Sequence, residues 1–155
     1  VIVRKTATLF EAGTRLAGVI SKADEATEQA LAAYGMDLGI AFQIVDDTLD
    51  YTGTDIGTNV GDDLEEGKPT LPLIRAMQTA APEKAAVVRD AIENGGRDRI
   101  EEIMQIIRET AALDYSIALA RKHAEAATRE LEILPASPDK DALAELADFA
   151  VNRDY

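Results

Sequence analysis

Leu113, Ile117, Ala120, Ala124, Ala127, Leu131 and Leu134 recur at steps of four and three residues. That spacing lays an apolar seam along one side of an α-helix, the side that an antiparallel neighbour covers. The period-two alternation of a half-buried strand appears nowhere in the 155 residues, so the chain is read as all-α. Residues 1–20 carry Val3, Leu9, Leu16, Val19 and Ile20 at helical spacing without a start signal. Ser21 with Asp24 and Glu25 reads as a cap and first turn for a long helix from about 23 to 51. Gly35 and Gly39 lie inside it, each costing about 1 kcal/mol relative to Ala, so close approach of a neighbouring helix is their expected role. Further helices are expected at 71–80, capped by Thr70, at 82–93, stopped by Asn94-Gly95-Gly96, at 98–109, and at 139–152 after the Pro135–Pro138 break.

The stretch Phe42-Gln43-Ile44-Val45-Asp46-Asp47-Thr48-Leu49-Asp50-Tyr51 puts three carboxylates among apolar residues. On a helix Asp46 and Asp50 stand one turn apart on one face, with Asp47 beside them and Gln43 one turn earlier. Like charges at that spacing destabilise a helix by roughly 0.2–0.5 kcal/mol per pair. Sinking them among apolar neighbours costs more, so a cationic partner is required. Lys or Arg from elsewhere in the fold would serve. So would a hard divalent ion such as Mg²⁺, which takes carboxylate oxygens, keeps most of its waters and shares substrate phosphates. A solvated acidic face is the other reading, and the apolar flanks argue against it.

Residues 52–69 hold four glycines and no apolar period, and are expected to form a loop of unusual length, the most mobile part of the chain. Neither an EF-hand nor a phosphate-binding G-x-x-x-x-G-K-[ST] loop fits it. With no cysteine, zinc–thiolate sites and thiol nucleophiles are excluded. The single histidine, His123, lies in a charged helical stretch and is expected on a solvated face. A net charge of −13 repels nucleic acid and anionic membranes, and no run approaches membrane-span length. A soluble, cytoplasmic protein is expected, whose anionic ligands arrive with metal ions.

At this point the sequence resembles a known family. Phe42-Gln43-x-x-Asp46-Asp47-x-x-Asp50-Tyr51, followed by Gly57-x-Asn59-Val60-Gly61-Asp62-Asp63-Leu64-x-Glu66-Gly67-Lys68-Pro69-Thr70-Leu71-Pro72-Leu73, is similar to the second aspartate-rich motif and following loop of the trans-polyprenyl diphosphate synthases, octaprenyl and other long-chain enzymes above all. Lys5-Thr6-Ala7 matches the lysine-threonine pair of that family, and the resemblance runs on to Ala150-Val151-x-Arg153. It implies the C-terminal helices of an isoprenoid-synthase-type bundle and a head-to-tail transferase that joins isopentenyl diphosphate to an allylic diphosphate with Mg²⁺. By the same resemblance Asp46 is a direct metal ligand, and Asp47 and Asp50 hold metal-bound waters. Lys5 and Lys68 bind the allylic diphosphate, and Thr6 and Gln43 stabilise the carbocation through their oxygens. A homodimer is implied as well.

Two departures accompany the match. Thr58 stands where the family's loop usually carries a lysine. The family's first aspartate-rich motif lies upstream of the lysine-threonine pair, so residues 1–155 are expected to be a single all-helical segment, the C-terminal half of a larger one-domain enzyme, inactive alone. A non-catalytic helical subunit of a heteromeric prenyl synthase is the alternative, and retention of Asp46, Asp47, Asp50, Gln43 and Lys68 argues against it.

Overall fold

The computed structural model describes residues 1–52 and 61–152. Among them run eight α-helices and no strand, as the periodicity demands: α1 (Thr8–Ser21), α2 (Glu25–Leu49), α3 (Asp62–Glu65), α4 (Leu71–Thr79), α5 (Pro82–Asn94), α6 (Ile100–Glu109), α7 (Ala112–Glu130) and α8 (Pro138–Asn152). The chain divides into two units, Val1–Val45 with Leu119–Tyr155, and Asp46–Ala118. No described helix is long and apolar enough to cross a membrane.

In the first unit α2 opens where the cap was expected, Asp24 Oδ1 accepting the Thr27 N–H at 2.8 Å. Its two glycines mark the line along which α1 packs. A Cβ on Gly35 would lie 2.2 Å from Thr14 Oγ1 and 2.6 Å from the Phe10 carbonyl oxygen, and one on Gly39 would lie 2.6 Å from Ala7 Cα. Backbone-to-backbone contact of this kind leaves no room for a methyl group. Phe10 and Phe42 meet beside it, ring centres 5.7 Å apart. Tyr34, Leu38, Ala127, Leu131, Ala147 and Ala150 form the core, and the buried Tyr34 hydroxyl donates to the Leu143 carbonyl at 2.9 Å.

His123 departs from expectation. It is three-quarters covered and shares a 2.7 Å hydrogen bond between its Nδ1 and Asp37 Oδ1, joining α7 to α2. A partner 86 residues away is invisible to a local reading.

The second unit is built from α3 to α6 and the start of α7, around Leu64, Leu73, Val88, Ile103, Ile106 and Ile107. Gly95, at φ 82°, ends α5 as its sequence predicts. Two expectations are corrected. The stretch 52–69 is not loop throughout, because Asp62–Glu65 forms a helical turn that seats Leu64, wholly buried, in the core. Thr70 sits at the N-cap of α4 without a side-chain cap; its hydroxyl instead meets the Tyr51 hydroxyl at 3.2 Å.

Gly39→Ala should lower the melting temperature. Overpacking of roughly 1–3 kcal/mol exceeds the gain in helix propensity of about 1 kcal/mol. Thermal unfolding by circular dichroism is the check, and an unchanged midpoint would mean that the Ala7 backbone yields without strain.

Candidate functional site

The carboxylate stripe of α2 does not share one environment. Gln43 and Asp47, four residues apart, are each only 8% exposed, whereas Asp46 faces outward and Asp50 is partly covered. Of the two neighbouring acids it is thus Asp47 that turns inward.

Asp50 is held at the end of α2 by the backbone that follows. Its Oδ1 accepts the Asp62 N–H at 3.2 Å and its carbonyl accepts the Gly61 N–H at 3.3 Å. Its Oδ2 is buried without a hydrogen-bond partner among the described residues. Burial first, and then the charge of Asp63, push its pKa up to about 6 against the opposing pull of the Asp63 and Asp62 amides. Lys68 does not stand alone either. Its Nζ lies 2.8 Å from Asp63 Oδ1 and 2.6 Å from Glu66 Oε2, and the hydrogen bond to Asp63, then that to Glu66, raises its pKa. Asp63 therefore acts on both Asp50 and Lys68. The sequence names Asp63 within a motif but gives no sign of that double contact, which depends on α3 forming.

Lys5 and Thr6 lie in a π-type turn at Val3–Ala7 that leads into α1. The Val3 carbonyl accepts both the Thr8 N–H, five residues on, and the Thr8 hydroxyl at 2.8 Å. Such turns release carbonyls from the regular ladder and are frequent at functional positions. Lys5 is exposed, and the Thr6 hydroxyl donates to Gln43 Oε1. That bond follows from the Ala7–Gly39 contact, since Gln43 lies one turn beyond Gly39. The structure thus joins Thr6 to Gln43, and places Asp50 and Lys68 at the two ends of the segment carrying α3. Gly57, Thr58, Asn59, Val60 and Arg153, which carry part of the resemblance, lie outside the described residues.

The donors suit a hard cation. Among the described residues no three acidic or histidine side chains converge on a preformed cluster. Mg²⁺ seldom uses one, being held by one or two carboxylates with its own waters and substrate phosphates. The orphaned oxygen of Asp50 and the exposed carboxylate of Asp46 are donors of that kind. An apolar cavity of about 260 Å³ lies in the first unit, lined by Phe10, Leu38, Phe42, Leu146, Phe149 and Ala150.

Comparison with known proteins places the chain in clear company. The Polyprenyl synthetase family model matches residues 1–110. An octaprenyl diphosphate synthase from Haemophilus influenzae is 48% identical over 158 residues, spanning 100% of this chain and 48% of that protein. A polyprenyl synthase structure from Roseobacter denitrificans superposes with a TM-score of 0.89 at 42% identity, covering 97% of this chain and 50% of that one. A polyprenyl synthase from Caulobacter crescentus, solved with calcium and isoprenyl diphosphate, gives a TM-score of 0.87 at 40% identity, over 98% of this chain and 48% of that one. The chain spans about half the length of the curated relatives it matches.

Asp50 makes a testable demand on stability. Its carboxyl, at 3.8 ordinarily and about 6 when folded, keeps its proton more tightly in the native state. Its contribution is full below about pH 4 and is lost as pH rises through about 6. Asp50→Asn should flatten the decline over that window and leave the chain more stable than wild type at pH 7, as read by urea unfolding. Wild type and variant declining in parallel would show that the Asp50 carboxylate is not desolvated.

Proposed function

The chain belongs to the polyprenyl synthetase family, and on that premise we propose that it forms the C-terminal half of a Mg²⁺-dependent head-to-tail prenyltransferase. The reaction joins isopentenyl diphosphate to an allylic diphosphate in isoprenoid and quinone side-chain synthesis. Ionisation of the allylic diphosphate leaves a carbocation, isopentenyl diphosphate attacks it, and the departing diphosphate takes the proton that is lost. No histidine is needed, because the leaving group serves as the base.

The carrying observation is the end of α2, where a desolvated carboxylate oxygen of Asp50 has no hydrogen-bond partner among the described residues, one turn beyond the exposed Asp46. Mg²⁺, when bound, would neutralise the charge that builds on the departing diphosphate. Asp46 would hold the ion directly, and Asp47 and Asp50 would hold it through water. Lys68 binds the allylic diphosphate, and must first exchange Asp63 and Glu66 for phosphate oxygens. Lys5, exposed in its turn, binds the same group. Because the Thr6 hydroxyl spends its proton on Gln43, its remaining capacity is that of an acceptor, which suits a nearby positive charge. Calcium and isoprenyl diphosphate in the Caulobacter crescentus relative support this choice of ligands.

The decisive experiment is a chimera in which residues 1–155 replace the matching stretch of the Haemophilus influenzae octaprenyl diphosphate synthase, assayed for incorporation of labelled isopentenyl diphosphate. The chimera should elongate an allylic diphosphate, and the 155-residue chain alone should not. Asp46→Ala in the chimera should cost at least about 100-fold in turnover, comparable with loss of a major electrostatic contact in a transition state. Its stability should stay within about 0.5 kcal/mol, as for other exposed substitutions. Wild-type turnover by that variant would remove Asp46 from the mechanism.

The reading extends to a cytoplasmic protein that self-associates. Leu9, Leu16 and Ile20 share a face of α1 and are 75%, 56% and 78% exposed, an apolar surface seldom left bare. Sedimentation of the isolated chain should show concentration-dependent association. A monodisperse monomer across the concentration series would count against it.

A further inference from the structure

Two cations grip α3 from adjacent faces. Asp62 and Glu65, three residues apart, share one face, and Arg97 reaches both: its Nη1 pairs with Glu65 Oε2 and stands 3.8 Å from Asp62 Oδ1. Asp63 and Glu66 share the next face and hold Lys68. A four-residue turn has no stability of its own, so its place is set entirely by what it packs against.

That packing is tight and local. Leu64 is wholly buried, and a Cβ on Gly96, the residue before Arg97, would lie 3.1 Å from Leu64 Cδ2 and 2.5 Å from Ala91 Cβ. A Cβ on Gly61 would lie 2.7 Å from Ile100 Cδ1, and one on Gly67 would lie 3.0 Å from the Ile92 carbonyl oxygen. Glycine at each place lets α3 settle onto the end of α5 and the turn Arg97–Arg99 that follows it. Leu64 alone is a pivot. Arg97 is bound to two acids on a different side.

We propose that Arg97 is a positioning residue for diphosphate binding, acting through α3, and this rests on the diphosphate role given to Lys68. Fixing α3 places the Asp62 amide against Asp50 at one end and the Lys68 ammonium at the other. When diphosphate takes Lys68 from Asp63 and Glu66, that face of α3 loses its cation. Arg97 then holds the turn in position, so the lysine meets the ligand from a fixed base.

Three variants of the 155-residue chain test this: Arg97→Ala, Arg97→Lys, and Lys84→Ala, whose cation pairs with Glu109 away from α3. Amide exchange by NMR at Asp62 and Lys68 reads the seat, and calorimetric titration with inorganic diphosphate in Mg²⁺ reads the ligand. In Arg97→Ala exchange at both amides should rise about fivefold and diphosphate affinity fall about fivefold, the upper range for exposed ion pairs. Arg97→Lys should recover part of both, and Lys84→Ala should change neither. Unchanged exchange in Arg97→Ala overturns the seat. Faster exchange with unchanged affinity overturns the positioning role while leaving Lys68 in place. A wild-type chain that binds no diphosphate sinks the Lys68 reading itself, and the positioning role with it, whatever α3 does.

Discussion

A carboxylate that folding strips of water must be met by a hydrogen bond, a cation or a proton, and the end of α2 is arranged around that demand. Asp50 satisfies half of it. One oxygen takes the Asp62 amide, while the other is buried with no such partner among the described residues, and its proton affinity rises accordingly. The segment that follows answers with the same chemistry. It gathers four acids, Asp62, Asp63, Glu65 and Glu66, and sets only Arg97 and Lys68 against them, so the segment keeps an excess of negative charge in a chain that stands at −13 as a whole. A dication entering there would meet a carboxylate already short of partners.

Local pattern told most of the fold and part of the site. Helix positions followed from apolar spacing, and the Gly35/Gly39 pair announced a close helix contact because nothing else justifies two glycines inside a long helix. That the neighbour is α1, and that Thr6 therefore meets Gln43, came from the structure. What stayed hidden depends on tertiary partners. Asp62–Glu65 carries one apolar residue in four, too little for any period, and becomes helical because Leu64 has a core to enter. His123 reads as solvated until the fold brings Asp37 to it, and Thr70 reads as a cap until Tyr51 claims its hydroxyl. Even the acidic helix misled in part, since helical spacing cannot say which of Asp46 and Asp47 turns inward.

Glycine is used here for volume as much as for backbone freedom. Gly35 and Gly39 sit in ordinary helix, and their value is the absent methyl that lets α1 reach the α2 backbone. Gly61 and Gly67 combine left-handed backbones with close neighbours, the Ile100 side chain at one and the Ile92 carbonyl oxygen at the other. The positions that set the geometry of the acidic segment are therefore residues with no side chain at all.

The turn at Val3–Ala7 fits one more residue into its coil than a regular helix would. At about 100° per residue, everything on its N-terminal side points roughly that much away from where straight helix would carry it. Lys5 and Thr6 lie within this offset, so their directions are tied to chain length as well as to identity. Two relatives with the same lysine and threonine, one with the extra residue and one without, would align without a gap in motif and still present the ammonium to different surroundings. For this pair, counting residues is part of reading them.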